Sequence, residues 1–215
     1  MSADRASYPS RRRFLAAAGA TAGLGLVGAA CSGNDRGGPD GTTSTGGGTA
    51  TTARATGDAA VAEVAAGLEK LAVDTYVSLL TAANSKKLGA VPPAVAELLN
   101  TAKAHHDEHL KQWNTVLRNA GRPEVTAPNA NLKPTIDNEL AAVKDEVGAA
   151  KLAYTLEEIA SDTYNRAIPN LASREVVKLA AQIQVVDQQH RAILLFALGQ
   201  YPVPEVFQNT DKAAN

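Results

Sequence analysis

The stretch LEKLAVDTY, Leu68 to Tyr76, returns almost unchanged as LEEIASDTY, Leu156 to Tyr164. Each copy has helical apolar spacing, and each sets a glutamate, Glu69 or Glu157, on the face that the spacing marks as inward. A buried carboxylate without a partner is very costly. A chain that buries two of them at the same place of a repeated unit must bring both to an interior layer where something compensates their charge.

The surrounding pattern supplies four helices. The first is predicted over Asp58 to Ala83. Pro92 and Pro93 open the second, because proline suits a first helical turn, and Gly121 closes it just after Ala120. The third is predicted over Thr135 to Ile168, ending before Pro169, and the fourth from an N-cap at Ser173 to Gly199. The connections within the first and second pairs are short, so each pair reads as an antiparallel hairpin. Between the pairs, Gly121 to Asp137 contains Pro123, Pro128 and Pro134 and no periodic apolar pattern. At ~3.3 Å per extended residue this segment can run the length of a helix. The expectation is an all-α four-helix bundle over 58–199, two hairpins joined by one long crossover, with a proline-containing tail over 200–215 that either wraps the bundle or dangles.

Stepping by three and four residues along the inward seams gives Ala62, Ala65, Glu69, Ala72 and Tyr76 in the first helix, and Leu99, Ala102, His106, His109 and Trp113 in the second. The third gives Ala150, Ala153, Glu157, Ala160 and Tyr164, preceded by Val143 and Glu146; the fourth gives Ala180, Ile183, Asp187, His190 and Leu194. Every seam is interrupted near its middle by a carboxylate or a histidine. Glu69, His106, His109, Glu157, Asp187 and His190 are therefore expected to share one layer, and a divalent cation is the simplest compensation. His105 falls off the seam and reads as exposed. Trp113 reads as packing.

This arrangement resembles the ferritin-like superfamily of di-metal carboxylate bundles, in which two helices give single glutamates and two give Glu-x-x-His. Glu69 and Glu157 match the single glutamates. Asp187-x-x-His190 matches one pair with aspartate in place of glutamate, and His106-x-x-His109 matches the other with histidine in its place. The resemblance implies binding of iron or manganese (Fe or Mn), with oxidation by dioxygen or peroxide as the associated chemistry. The departures, three carboxylates and three histidines, make zinc or copper (Zn or Cu) more competitive and a mononuclear site an alternative. A metal-binding module without turnover, and a structural or partner-binding bundle whose site has decayed, are the competing readings.

Around this set, Tyr76 and Tyr164 follow the glutamates by one heptad and read as core rings whose hydroxyls find a partner, with a redox role as the alternative. Asp74 and Asp162 recur in the repeated phrase but turn off the seam. They would either orient a ligating histidine or form an interhelical hydrogen bond.

The N-terminal region reads as an address. Ser10-Arg11-Arg12-Arg13-Phe14-Leu15 resembles a twin-arginine export signal, and the Gly/Ala-rich stretch that follows is too short and too rich in glycine to span a membrane stably. Cys31, the one cysteine of the chain, follows Gly28-Ala29-Ala30, which resembles a bacterial lipobox with glycine where leucine is usual. Lipidation of Cys31 would tether the chain to a membrane; ordinary signal-peptidase cleavage is the alternative. Residues 1–31 thus read as signal and 32–57, rich in Gly, Thr, Ser and Ala, as a flexible spacer. A net charge of −1 without a cluster of Lys and Arg beyond the first residues argues against a nucleic-acid partner. No phosphate-binding glycine loop or nucleophile motif occurs, so phosphoryl and acyl transfer rank low.

Overall fold

The computed structural model describes residues 47–214, with side chains from residue 57 onward. Arg11, Arg12, Cys31 and the start of the expected spacer lie outside these residues. Five α-helices follow in order: α1 (Gly47–Asn84), α2 (Pro93–Asn119), α3 (Lys133–Ala142), α4 (Glu146–Ala167) and α5 (Arg174–Ala197), with a short 3-10 turn, Ile168–Asn170, between α4 and α5. Strands are absent among the described residues, and no helix among them is long and apolar enough to cross a membrane. The architecture is the expected all-α bundle. Helices α1 and α2 form one hairpin and α4 and α5 the other, with α1 against α4 and α2 against α5.

Helix ends follow local chemistry. Pro93 sits in the first turn of α2. Ser173 caps α5, its hydroxyl accepting from the Val176 amide. The α2 terminus is a Schellman turn: Gly121 has φ 68°, its amide donates to Arg118 O, and Arg122 N donates to Leu117 O at 2.9 Å. Gly199 does the same for α5, with Gln200 N on Leu195 O at 2.9 Å. At the end of α1 the left-handed position is filled by Lys86, φ 60°, where a Cβ is unfavourable.

Two features differ from the sequence reading, and a third resolves an alternative within it. First, α1 begins at Gly47, inside the expected spacer over 32–57. Second, the single third helix expected over Thr135 to Ile168 is broken. Val143 is extended, and Asp145 caps α4 by accepting from the Gly148 amide at 2.8 Å. A short acidic side chain that bonds its own backbone competes with helix continuation, so Val143 leaves the predicted seam. Third, the tail is docked. Lys212 N donates to Asp162 at 3.1 Å, Ala214 N donates to Thr163 Oγ1 at 2.8 Å, and Asn165 Nδ2 donates to Gln208 O at 3.0 Å.

The crossover runs over α1, where Asn129 N donates to Gly67 O at 2.9 Å. A Cβ at Gly67 would lie 3.4 Å from the Asn129 backbone, so the crossover packs directly on α1 two positions before Glu69. The interior divides in two. One apolar cluster joins Leu71, Ala72, Tyr76, Leu79, Leu99, Ala102 and Leu194; the other joins Ala62, Ala65, Trp113, Leu117, Tyr164, Ala180 and Ile183. Between them lies a polar layer.

Candidate metal centre

Glu69 projects from α1, His106 and His109 from α2, Glu157 from α4, and Asp187 and His190 from α5. On their seams Glu69 lies between Ala65 and Ala72 and Glu157 between Ala153 and Ala160, all four buried. Glu69, His106, Glu157, Asp187 and His190 are buried, and the His109 side chain is 12% exposed. The structure brings the six together in two overlapping groups with ligand atoms within 4.8 Å of one another. They are His106, Glu157, Asp187 and His190, and Glu69, His106 and His109.

His106 is at the centre. Its Nδ1 lies 2.6 Å from Glu69 Oε2, and its Nε2 lies 3.2 Å from Glu157 Oε1. His190 Nδ1 is 3.3 Å from Glu157 Oε2. His109 Nδ1 is 3.6 Å from Glu69 and 3.8 Å from Asp187 and makes no hydrogen bond among the described residues. Both carboxylate oxygens of the fully buried Asp187 also lack a hydrogen-bond partner among these residues.

The two tyrosines exchange hairpins. Tyr76, from the first copy of the repeated phrase, donates to Glu157 Oε1 of the second at 2.5 Å. Tyr164, from the second copy, donates to Glu69 Oε1 of the first. The sequence expectation that each hydroxyl finds a partner thus has a specific answer: each phrase orients the other's carboxylate. Trp113 Nε1 donates to Tyr164 Oη at 2.8 Å, and the rings stack. The Tyr76 ring instead stacks on His106, with centroids 5.5 Å apart.

Charge is strongly redistributed. Burial alone would raise Glu69 and Glu157, but the charge and hydrogen bonds of the adjacent histidines, His106 first, hold each at about 2. Burial alone would lower His106, yet Glu157 and Glu69 raise it well above the usual histidine range. Burial, reinforced by Glu69, pushes Asp187 well above the usual carboxylate range. Both phenols are raised by burial and by the glutamates they serve, so they remain donors.

The expected supporting role of Asp74 and Asp162 at a histidine is not found. Asp74 is exposed and pairs with Lys70 at 2.5 Å. Asp162 is buried but accepts from the tail amide of Lys212. Their off-seam position rotates both away from the polar layer. Sequence reasoning read His105 as exposed and gave it no place at the site. It is exposed as expected, but its Nδ1 lies 3.0 Å from His190 Nε2. The signal was its spacing of four from His109, which places both on adjoining faces of α2. Arg191, next to His190, was missed as well; it is buried and binds Tyr154, Glu158 and Glu205.

Three carboxylates and three histidines within one buried layer, with Asp187 and His109 holding unpartnered acceptor and nitrogen atoms, fit a divalent cation. A comparison with curated proteins finds no significant match. Residues 57–200 match the model of the ferritin-like domain, most of the described chain and all of the polar layer, and the chain belongs to that family.

Proposed function

We propose that this chain is an exported ferritin-like protein that binds iron or manganese in the polar layer of its bundle. The observation that carries the reading is Asp187: a fully buried carboxylate with neither oxygen hydrogen-bonded, surrounded by two further carboxylates and three histidines. A charged group in that position requires a cation, or else it must take up a proton. Glu157, Asp187, His190 and His106 would hold one ion, and Glu69, His109 and His106 would complete a second position or a single shared one. Such an ion, when bound, supplies oxidation chemistry with dioxygen or peroxide. The chain's own residues prepare the place. Tyr76 and Tyr164 fix Oε1 of each glutamate, while Oε2 of Glu69 faces His106 and Oε2 of Glu157 faces His190. The two apolar clusters shield the layer from water along the bundle axis.

Metal content by mass spectrometry on the chain folded in its native host tests this. One or two Fe or Mn per chain, lost in a Glu69→Ala/Glu157→Ala double variant, is the expected result. No metal above that control overturns it, and zinc or copper would transfer the function to the nitrogen-rich side of the donor set. Export and tethering rest on the twin-arginine-like stretch around Arg11 and Arg12 and on Cys31 at the end of a small-residue run. Precursor accumulation in globomycin-treated cells tests lipidation; normal processing sinks it.

One observation favours a second reading. His106 already reaches both glutamates, so its imidazolium can neutralise them as an internal cation. The bundle would then be a metal-free structural or partner-binding module. Added metal raises the melting temperature under the first reading and leaves it unchanged under the second.

A further inference from the structure

Three of the chain's four histidines lie on inward seams, and the fourth, His105, reaches the same layer from outside. Its ring stacks on that of His190, with centroids 5.1 Å apart and planes inclined by 17°, and its Nδ1 stands 3.0 Å from His190 Nε2. His190 is buried and turns its other nitrogen, Nδ1, to Glu157 Oε2 at 3.3 Å. Both ring nitrogens of His190 are thus committed in direction: Nδ1 to the carboxylate layer and Nε2 to His105.

A neutral imidazole has one N–H and one lone pair. If Nδ1 presents its lone pair to a cation, the proton belongs on Nε2, and that N–H needs an acceptor in a site with little water. Histidine ligands commonly find this acceptor in a carboxylate or a backbone carbonyl. Among the described residues, His105 Nδ1 is the group that meets His190 Nε2. His109 has no such support: its ring is tilted by 30° to that of His105 with centroids 6.4 Å apart.

We propose that His105 is a positioning residue for the half of the metal centre formed by Glu157, Asp187 and His190. By accepting the Nε2–H of His190, it sets the tautomer and ring orientation that aim Nδ1 at the cation. This rests on the reading of the polar layer as a metal centre. It also gives the centre an unequal pair of positions, because the histidine beside Glu69 lacks an equivalent acceptor.

The test is a Co(II) titration of the full chain followed by visible absorbance, with His105→Ala, His105→Phe and His105→Asn compared with the wild type. Loss of the acceptor is expected to weaken binding by roughly 10-fold or more in the Ala and Phe variants. Asparagine, whose Oδ1 takes the place of Nδ1, should recover most of the affinity, whereas phenylalanine keeps only the stacking. Melting temperatures of the metal-free proteins should be unchanged in the Asn variant, which keeps an acceptor, and lower in the Ala and Phe variants, which leave the buried Nε2 of His190 unpaired. In the Zn(II) form, 15N-histidine spectra should show the Nε2–H tautomer of His190 in the wild type and the Asn variant, and a mixture in the Phe variant. Wild-type affinity in the Ala and Phe variants overturns the positioning role and leaves the metal centre standing. A loss that the Asn variant shares, accompanied by lower metal-free melting temperatures, assigns His105 a structural role instead. Failure of the wild type to bind Co(II) overturns both.

Discussion

The first hairpin and the second carry the same phrase, yet they use it differently. Glu69 and Glu157 behave alike: both are buried, both receive a tyrosine from the opposite hairpin, and both meet His106. Asp74 and Asp162 do not. The first faces solvent beside Lys70, and the second lies beneath the C-terminal tail and holds the Lys212 amide. The tail is hydrogen-bonded to the second hairpin, where Thr163 and Asn165 also bind it. The tyrosines diverge too, since Tyr164 has Trp113 as a donor and Tyr76 has the His106 ring as a neighbour. Residues that point to the shared axis keep one role in both copies. Residues that point outward take whatever the rest of the chain lays against them.

The largest effect should come from the symmetric part. Glu69→Ala and Glu157→Ala are each expected to lower metal content to background. His106→Glu, which supplies the fourth carboxylate and removes the internal cation, should raise occupancy toward two ions per chain. Elemental analysis of the purified variants checks this; equal occupancy in His106→Glu and wild type would mean that His106 does not limit the site.

Next in size is the pH dependence of the metal-free chain, which draws on several buried groups at once. His106 has a raised value when folded, so its contribution is complete below about 6.5 and fades as pH rises through that raised value. Asp187, also raised, loses its contribution in the same direction. Glu69 and Glu157, held at about 2, contribute above their ordinary 4.5 and lose it as pH falls toward 2. Metal-free stability should therefore be greatest on the acidic side of neutrality and decline on either side. Bound metal should flatten the alkaline decline, because ligands must shed protons to bind it. Melting curves from pH 4 to 9 with and without chelator would show an unchanged alkaline limb if the layer does not bind metal.

The tyrosines offer a finer test. Tyr164→Phe strips a donor from Glu69 and an acceptor from Trp113, so it should cost about 2 to 3 kcal/mol. Tyr76→Phe should cost about 1 to 2 kcal/mol, because His106 Nε2 still approaches the same Glu157 oxygen. Denaturant unfolding would expose a reversed order. The outward residues sharpen the contrast further: Asp162→Ala should cost about 1 kcal/mol through the released tail, and Asp74→Ala should stay within about 0.5 kcal/mol. Equal costs would mean that the tail is not what separates the two copies. The smallest change is a gain. Lys86→Gly at the left-handed end of α1 should stabilise the chain by about 0.5 to 1 kcal/mol, read as a rise in unfolding midpoint.

Much of this layout was legible because it depends on local chemistry and on period. Pro93, Ser173, Gly121 and Gly199 mark helix ends through φ and capping, which a chain carries wherever it goes. The seam residues follow from the helical repeat, so the six polar side chains could be placed in one layer before any neighbour was known. Period and capping therefore suffice to give helices in two similar hairpins with a set of carboxylates and histidines buried between them. Tertiary structure alone decided the rest. The docking of the tail on Asp162, the exchange of Tyr76 and Tyr164 between hairpins and the stacking of His105 on His190 are pairings between segments far apart in the chain, whereas the break at Val143 follows from the local Asp145 cap. Such pairings depend on the distance and angle between packed helices, and no repeat along a single helix encodes them.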